Sequence, residues 1–187
     1  MDVEKISELI FEAGQLKRLP RSGWFFAGVK NPETVAEHSW RTALIGLFLA
    51  KMEDVDENKV LKMCIMHDLA ETRIGDMNRV NDRYIEKGSG EEKAFEDILS
   101  IDNEFLEIIR EYNQRKTTEA VVARDADLLE VFAQAKEYIE LGHSSLSNWM
   151  ENTRVILKTK SAKILAEKLE SMDSTSWWHG LKKLPKD

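Results

Sequence analysis

Four polar side chains that commonly bind metal ions lie in three well-separated stretches of this sequence. The stretches contain His38, the adjacent pair His67 and Asp68, and an aspartate in the run Ala123-Arg124-Asp125-Ala126-Asp127. Imidazole nitrogen and carboxylate oxygen form a mixed ligand set that suits borderline divalent metals such as Mn, Co, Fe, Ni or Zn. The spacing does not choose between Asp125 and Asp127, because both lie among small or apolar neighbours. The pattern predicts a site for one divalent ion.

Helical geometry supports a shared site for these residues. Successive helical residues are about 100° apart, so His67 and Asp68 both reach a point between their helix and a neighbour. Glu71 lies on the same face one turn later, close enough for proton transfer without being a ligand. A lone histidine such as His38 is usually a core or surface residue without a ligand. However, an unpaired polar group in an apolar helix costs on the order of 1 to 3 kcal/mol, and coordination would remove that cost.

The elements that position these residues are predicted to be helices. Hydrophobic residues make up 42% of the chain and charged residues 33%, with only 9 Gly and 3 Pro, a balance that favours helices over turns and short strands. A length of 187 residues fits one domain. We expect a single all-α domain of about six to eight helices over residues 1–187. Its metal-site core should span about 34–130, and helices in 131–187 should serve for packing or as a dimer element.

Apolar periodicity places the individual helices. Runs are predicted at about 6–16, 34–52, 56–75, 91–112, 118–141 and 160–178. The aromatic segment 21–32 should be a connector, equally suited to core packing, dimer packing or stacking on a nucleobase. Residues 76–90 should form the longest irregular connection, because they are polar and glycine-containing. Ser89 and Glu92 resemble a capping box that starts the next helix.

Charge and cysteine content indicate which kinds of partner and which cellular compartment to expect. The net charge of −7 argues against a nucleic acid polymer as partner, so a local cationic group must hold any anionic ligand. A single cysteine, Cys64, excludes an internal disulfide and fits a reducing compartment. Cys64 is better explained as a core residue than as a thiolate ligand. No secretory signal or membrane span is visible, so we expect a soluble, cytoplasmic protein with no membrane partner.

Three motifs together resemble the HD-domain metal-dependent phosphohydrolases, in the branch of 5'-deoxynucleotidase-like proteins. The motifs are Glu37-His38-Ser39, His67-Asp68-Leu69-Ala70-Glu71 with Gly75-Asp76, and Ala126-Asp127-Leu128-Leu129. The resemblance implies a helical HD-domain fold with one divalent metal bound by His38, His67, Asp68 and Asp127. It also implies hydrolysis of nucleoside 5'-monophosphates, preferentially the deoxy forms, and homodimerisation.

The resemblance also implies roles for residues near the metal. Glu71 would position or deprotonate the attacking water, and Asp76 would contact substrate or transfer a proton. Arg18 would bind the phosphate in a planar, two-pronged contact. In part of the branch an aromatic residue follows this arginine, whereas this chain has Leu19. The resemblance therefore leaves base and sugar preference open.

Two further carboxylates are assigned supporting roles. Because the resemblance selects Asp127 as the ligand, Asp125 is left to support the site without touching the metal. Glu111 falls where the family tends to have an acidic residue that faces the site.

Two other classes of function stay open. One is an HD hydrolase of another nucleotide, such as a triphosphate, a cyclic dinucleotide or an alarmone, although the small size of the chain argues against these larger ligands. The other is a helical interaction module, either stabilised by metal and catalytically inactive or free of metal. Glu71 favours the hydrolase, because a scaffold has no use for a carboxylate one turn beyond the ligands.

Overall fold

The computed structural model describes residues 2–181. Within this range the chain forms nine α-helices and no β-strand, and one isolated bridge joins Pro20 to Thr34. The helices are α1 (Val3–Ala13), α2 (Val35–Glu53), α3 (Glu57–Met66), α4 (Glu71–Ile74), α5 (Lys87–Ile98), α6 (Asn103–Gln114), α7 (Thr118–Glu140), α8 (Ser147–Ile156) and α9 (Lys160–Ser171). The all-α prediction is confirmed. The helix count exceeds the predicted range by one, because the run predicted at 56–75 is divided: α3 ends at Met66 and the four-residue α4 begins at Glu71. In the predicted segment 131–187, residues 182–187 lie outside the described residues.

Side-chain caps set where α2 and α3 begin, and thereby where the candidate metal ligands lie. The Thr34 hydroxyl accepts a hydrogen bond from the Glu37 amide at 3.2 Å, and the Glu37 carboxylate accepts one from the Thr34 amide at 2.6 Å. This is a reciprocal capping box. Asp56 caps α3 by accepting hydrogen bonds from the amides of Asn58 and Lys59. His38 therefore lies in the first turn of α2, and His67 follows the last turn of α3.

The 23-residue helix α7 forms the centre of the molecule and packs against α2, α3, α6, α8 and α9. Its buried side chains include both apolar and acidic residues. Helices α2 and α3 also pack closely against each other, where Gly46 faces Cys64 and Val60. These contacts bring the ligand-bearing positions of α2, α3 and α7 to one place in the core.

The close approach of α2 and α3 requires a glycine at position 46. A Cβ added to Gly46 would lie 2.6 Å from Cys64 Sγ and 3.2 Å from Val60 Cγ1. We expect Gly46→Ala to lower the free energy of unfolding by about 1–3 kcal/mol through overpacking. Urea unfolding of the metal-free protein measures this change. Gly14→Ala is the control, because a Cβ at Gly14 meets nothing within 4 Å; equal stability of the two variants would contradict the prediction.

Several helix boundaries differ from those predicted. The run at 91–112 is divided, because Asp102 accepts a hydrogen bond from the Glu104 amide and starts α6. Helix α5 begins at Lys87, so Ser89 lies inside the helix and the predicted capping box is not its start. Helix α8 was not predicted, and its buried residues are Met150 and Thr153. No helix within residues 2–181 combines the length and apolar character needed to cross a membrane.

Candidate metal centre

Four side chains from α2, the end of α3 and the middle of α7 converge in the core. The Nε2 atoms of His38 and His67 lie 3.3 Å apart. His38 Nε2 lies 3.2 Å from Asp127 Oδ1, and His67 Nε2 lies 3.2 Å from Asp68 Oδ2. The two remaining histidine-to-aspartate distances are 3.7 and 3.9 Å. The structure thus brings together all four residues that the resemblance implies as ligands.

The other nitrogen of each imidazole is already engaged. His67 Nδ1 donates a hydrogen bond to the backbone carbonyl of Cys64 at 2.8 Å. A carbonyl oxygen can only accept, so this contact places the proton on Nδ1. His38 Nδ1 lies 2.5 Å from Glu130 Oε2, a carboxylate that also accepts. In their neutral forms both rings therefore direct the Nε2 lone pair toward the same point.

The arrangement fits a divalent ion. A metal–nitrogen distance of about 2.1 Å with angles between about 90° and 109° separates two ligand atoms by about 3.0–3.4 Å. His38 Nε2 lies 3.2 Å from Asp127 Oδ1 and 3.3 Å from His67 Nε2, and both separations fall in this interval. With both rings neutral, these lone pairs would face one another and repel, so the point between them favours a cation, either a proton on His38 or a metal ion.

The electrostatics also favour a cation. Burial and the charge of Arg21 lower the pKa of His38, but the carboxylates of Glu130 and Asp127 outweigh them and raise it to about 10. Burial raises the pKa of Asp127, but Arg124 and the two histidines hold it well below its usual range. The site therefore carries ionised carboxylates in a buried setting, which a divalent ion neutralises.

Residues that sequence reasoning did not identify hold the outer oxygen of Asp127 and the oxygen of Asp68 that faces His67. Asp127 Oδ2 accepts hydrogen bonds from the Tyr112 hydroxyl, at 3.3 Å, and from the Arg124 guanidinium. Asp68 Oδ2 accepts one from Arg21 at 2.9 Å. Arg124 lies three residues before Asp127, a helical spacing that could have suggested this contact.

Asp125 binds groups that lie just before α9. Its carboxylate accepts hydrogen bonds from the backbone amides of Lys158 and Thr159 and from the Thr159 hydroxyl, at 2.6 to 3.1 Å. These partners precede α9. The structure therefore directs Asp125 toward the start of α9, while Asp127 faces His38.

A cavity of about 390 Å³ adjoins the four converging residues. Its acidic and basic lining includes Asp68, Glu71, Asp76, Arg21, Arg79, Asp82, Arg124 and Asp127. Phe26 and Trp149 add apolar surface, and Trp149 stacks on Trp24 with 4.8 Å between ring centroids. The cavity thus places a potential ligand beside the metal centre.

The lining residues extend beyond the segment predicted as the metal-site core. They come from 21–26, 68–82, 124–131 and 149–153, whereas the predicted core spans 34–130. The segments outside the core supply an arginine and most of the aromatic surface.

Glu71 and Asp76 both line this cavity. Glu71 lies at the start of α4, and its side chain is buried. Asp76 Oδ2 accepts hydrogen bonds from the Ser22 amide at 2.6 Å and from the Ser22 hydroxyl at 2.5 Å. Asp76 Oδ1 lies 3.7 Å from Arg21. The structure therefore brings both residues that the resemblance implies for catalysis to the site.

Arg18 and Glu111 lie elsewhere. The Arg18 side chain is exposed, its guanidinium lies 3.4 Å from the Gln15 amide oxygen, and it is not among the described residues that line the cavity. Glu111 forms an ion pair with Lys59 at 2.7 Å and accepts a hydrogen bond from Thr117. Three other arginines line the cavity, namely Arg21, Arg79 and Arg124, and of these Arg21 lies nearest to Arg18 in the sequence.

Cys64 is a buried free cysteine. Burial raises the pKa of its thiol, and the charge of Asp127 adds to that effect. Its sulfur lies 4.0 Å from the backbone carbonyl of Ala123. The side chain thus has the setting of a core residue, as the sequence favoured.

Several known proteins are similar to this chain in sequence and in fold. The sequence profile of the HD domain matches residues 13–172. The 5'-deoxynucleotidase HDDC2 of Dictyostelium discoideum is 33% identical over 177 residues, which cover 84% of this chain and 93% of that protein. The human 5'-deoxynucleotidase HDDC2 is 30% identical over 171 residues, covering 87% of this chain and 83% of that protein.

A solved structure has a fold similar to that of this chain. A conserved hypothetical protein from Pyrococcus furiosus superposes with a TM-score of 0.77 at 39% identity, covering 87% of this chain and 96% of that chain. The residues matched by the HD-domain profile include every one of the four that converge at the metal centre. This chain belongs to the HD-domain family.

Proposed function

We propose that this protein is a divalent-metal-dependent phosphohydrolase, specifically a 5'-deoxynucleotidase that releases phosphate from deoxyribonucleoside 5'-monophosphates. The observation that carries the proposal is the convergence of two imidazoles and two carboxylates beside a cavity that Glu71 also lines. The relatives named 5'-deoxynucleotidases support the substrate.

In this proposal one ion is held by His38, His67, Asp68 and Asp127. The mixed nitrogen and oxygen donors suit Mn, Co, Fe, Ni or Zn. When bound, such an ion makes hydroxide available from water near neutral pH and polarises a phosphoryl oxygen. Tyr112 and Arg124 hold the outer oxygen of Asp127, which keeps its inner oxygen directed toward the two histidines.

Glu71 acts as the general base in this proposal. Its carboxylate is buried and lines the cavity, and Glu71 begins α4 three residues after Asp68. It can accept the proton of the attacking water as the water adds to phosphorus. Asp76, held by Ser22 on the same cavity wall, contacts the substrate or returns a proton to the departing 5'-oxygen.

The cavity suits a small nucleotide. Its volume of about 390 Å³ lies within the usual range for small-molecule sites, about 300–1,000 Å³. Phe26 and Trp149 offer apolar surface for the sugar and base. The net charge of −7 disfavours a nucleic acid polymer as partner.

Arg21 binds the substrate phosphate in this proposal, in place of Arg18. Its guanidinium lies in the cavity among several carboxylates, which raise its pKa even though burial lowers it. We expect Arg21→Gln to lower kcat/KM for a nucleoside monophosphate by about 10- to 150-fold, the value of a charge-assisted hydrogen bond. Arg18→Gln should stay close to wild type. Steady-state kinetics distinguish the two, and the opposite ranking would return the role to Arg18.

The direct test of the proposed function is phosphate release from a panel of deoxyribonucleoside and ribonucleoside 5'-monophosphates. The metal-free protein is assayed after separate addition of Mn²⁺, Co²⁺, Zn²⁺ or Mg²⁺. We expect metal-dependent turnover that is faster for deoxy substrates. Metal binding without turnover of any phosphomonoester would instead identify an inactive, metal-stabilised module.

We also propose a homodimer that forms through α2. This helix exposes an apolar residue at every fourth position: Trp40, Leu44, Phe48 and Met52. Residues four apart form one ridge on a helix, and an isologous interface can place this ridge against its copy. The four side chains expose roughly 400 Å², about half of what one subunit contributes to a standard interface.

Phe48→Glu tests this interface, because a charge would replace the exposed aromatic ring at the centre of the ridge. Light scattering should show a dimer for the wild type and a monomer for the variant. Val155→Glu, at an exposed position on α8, is the matched control and should remain dimeric. A monomeric wild type, or a dimeric Phe48→Glu variant, would contradict the proposed interface.

A cytoplasmic location is part of the same proposal. It is supported by the single cysteine, Cys64, which is a free thiol. Free cysteines without disulfides are typical of reducing compartments. Imaging of the tagged protein in its source cells would test the location.

A further inference from the structure

The imidazole of His38 is held from the side opposite the candidate metal centre. His38 Nδ1 lies 2.5 Å from Glu130 Oε2, and both side chains have no solvent exposure. Glu130 follows Asp127 by three residues on α7, so both lie on one face of that helix. One turn of α7 therefore presents one carboxylate to Nε2 of His38 and another to Nδ1.

Arg41 occupies the second oxygen of Glu130. Its Nε and Nη2 atoms donate to Glu130 Oε1 at 2.9 and 2.7 Å. The same guanidinium donates to Glu137 at 2.8 Å and to Gln134 at 2.6 Å. Arg41 lies on α2, three residues after His38. Both oxygens of Glu130 thus have a partner, and both partners come from α2.

A purely structural role explains this arrangement poorly. A buried ion pair seldom stabilises a fold more than packed apolar side chains of the same size. The two imidazoles are also treated differently, because the corresponding nitrogen of His67 meets only the neutral carbonyl of Cys64. An ionised carboxylate behind an imidazole fixes its tautomer and increases the basicity of its free nitrogen.

We propose that Glu130 is a positioning residue for the metal centre, and that Arg41 holds the Glu130 carboxylate in the orientation that meets His38. Glu130 holds His38 in the tautomer whose Nε2 is free toward Asp127 and His67, and makes this nitrogen the stronger donor of the two imidazoles. The inference rests on the proposed function and deepens it, because it names what supports the metal ligand from outside the metal centre.

Zn²⁺ affinity of the metal-free protein provides the first test. Glu130→Gln preserves the size of the side chain and removes its charge, and we expect a dissociation constant about 10- to 100-fold higher than wild type. Glu137→Gln is the matched control. Glu137 contacts the same Arg41 but lies about two turns after Glu130 on α7, away from His38. This control should bind Zn²⁺ as tightly as wild type. Equal affinities for Glu130→Gln and wild type would overturn the inference.

Proton NMR of the Zn²⁺-loaded protein provides the second test, which a general loss of stability does not reproduce. The Nδ1 proton of His38 should be strongly deshielded in the wild type and should move upfield in Glu130→Gln. The Nδ1 proton of His67, bonded to a backbone carbonyl, should stay in place and serves as the internal reference. Equal movement of both signals, or of neither, would overturn the inference.

Arg41→Lys keeps the inference testable if Glu130→Gln does not fold. Lysine retains the charge but not the planar contact with Glu130 Oε1. We expect the same upfield movement of the His38 signal, to a smaller extent, and an unchanged signal would count against the inference. If the wild type itself does not bind Zn²⁺, the proposed metal centre fails. If the wild type binds Zn²⁺ and the variants match it, only the role of Glu130 fails.

Discussion

Replacing Glu71 with glutamine is expected to lower kcat for hydrolysis of a deoxyribonucleoside monophosphate by about 10²- to 10⁴-fold, the usual contribution of a general base. Glutamine has nearly the size of glutamate, so it fits the same buried position on the cavity wall. It cannot accept a proton from water near neutral pH. The four proposed metal ligands are unchanged in this variant, so the ion should remain bound.

Two measurements on the same preparations test this prediction. Phosphate release gives kcat, and elemental analysis gives the metal content per chain. Glu111→Gln is the control, because Glu111 pairs with Lys59 and Thr117 and does not line the cavity. It should keep nearly full activity. If Glu71→Gln loses metal in proportion to activity, Glu71 is a ligand and its proposed role as the base is wrong.

Two aspartates two residues apart on α7 should have separable effects. Asp127→Asn removes the charge of a proposed ligand. Loss of a residue that only hydrogen-bonds to a ligand lowers metal affinity by up to roughly 100-fold, and we expect this variant to lose more than that in both metal affinity and turnover. Asp125→Asn instead weakens the hydrogen bonds to the start of α9. It should lower stability by about 1–3 kcal/mol and leave the affinity of the folded protein for metal close to wild type.

The contrast between the two variants is read from metal titrations and thermal unfolding of metal-free protein. At this chain length, 1 kcal/mol corresponds to about 2–4 °C in Tm. Asp127→Asn should lose metal affinity with the smaller change in Tm, and Asp125→Asn should show the reverse. Loss of metal affinity in Asp125→Asn, with Asp127→Asn binding normally, would reassign the fourth ligand.

The sequence was most informative where a motif is local. His67, Asp68 and Glu71 lie within five residues, so the short turn between the end of α3 and the start of α4 relates them. The cap of α3 is a local feature as well, because Asp56 accepts hydrogen bonds from the amides two and three residues later. Spacing alone could not choose between Asp125 and Asp127, because that choice depends on what each carboxylate faces across the core; the resemblance selected Asp127.

Contacts between distant segments could not be read from the sequence. Arg21 reaches the cavity because backbone hydrogen bonds of 2.9 Å join Arg21 to Glu33 and Val35 to Leu19, which places the segment beside the start of α2. No periodic pattern indicates that pairing. It explains why an arginine three residues beyond Arg18 lines the cavity.

Glu130 illustrates the same limit on another helix. Its spacing from Asp127 places it on the same face of α7, but its importance depends on His38 and Arg41, about 90 residues earlier in the chain. Helix α8 is a third case, because Trp149 stacks on Trp24, from a distant segment, where both line the cavity. Tertiary packing, rather than local propensity, determines all three contacts.

The central claim is that one divalent ion lies between the two histidines and the two aspartates. Crystals grown with excess Mn²⁺ and measured for anomalous scattering test it most directly. We expect one strong peak per chain, within bonding distance of Nε2 of His38 and His67 and of carboxylate oxygens of Asp68 and Asp127. A peak elsewhere, or an empty centre with these side chains turned apart, would contradict the claim.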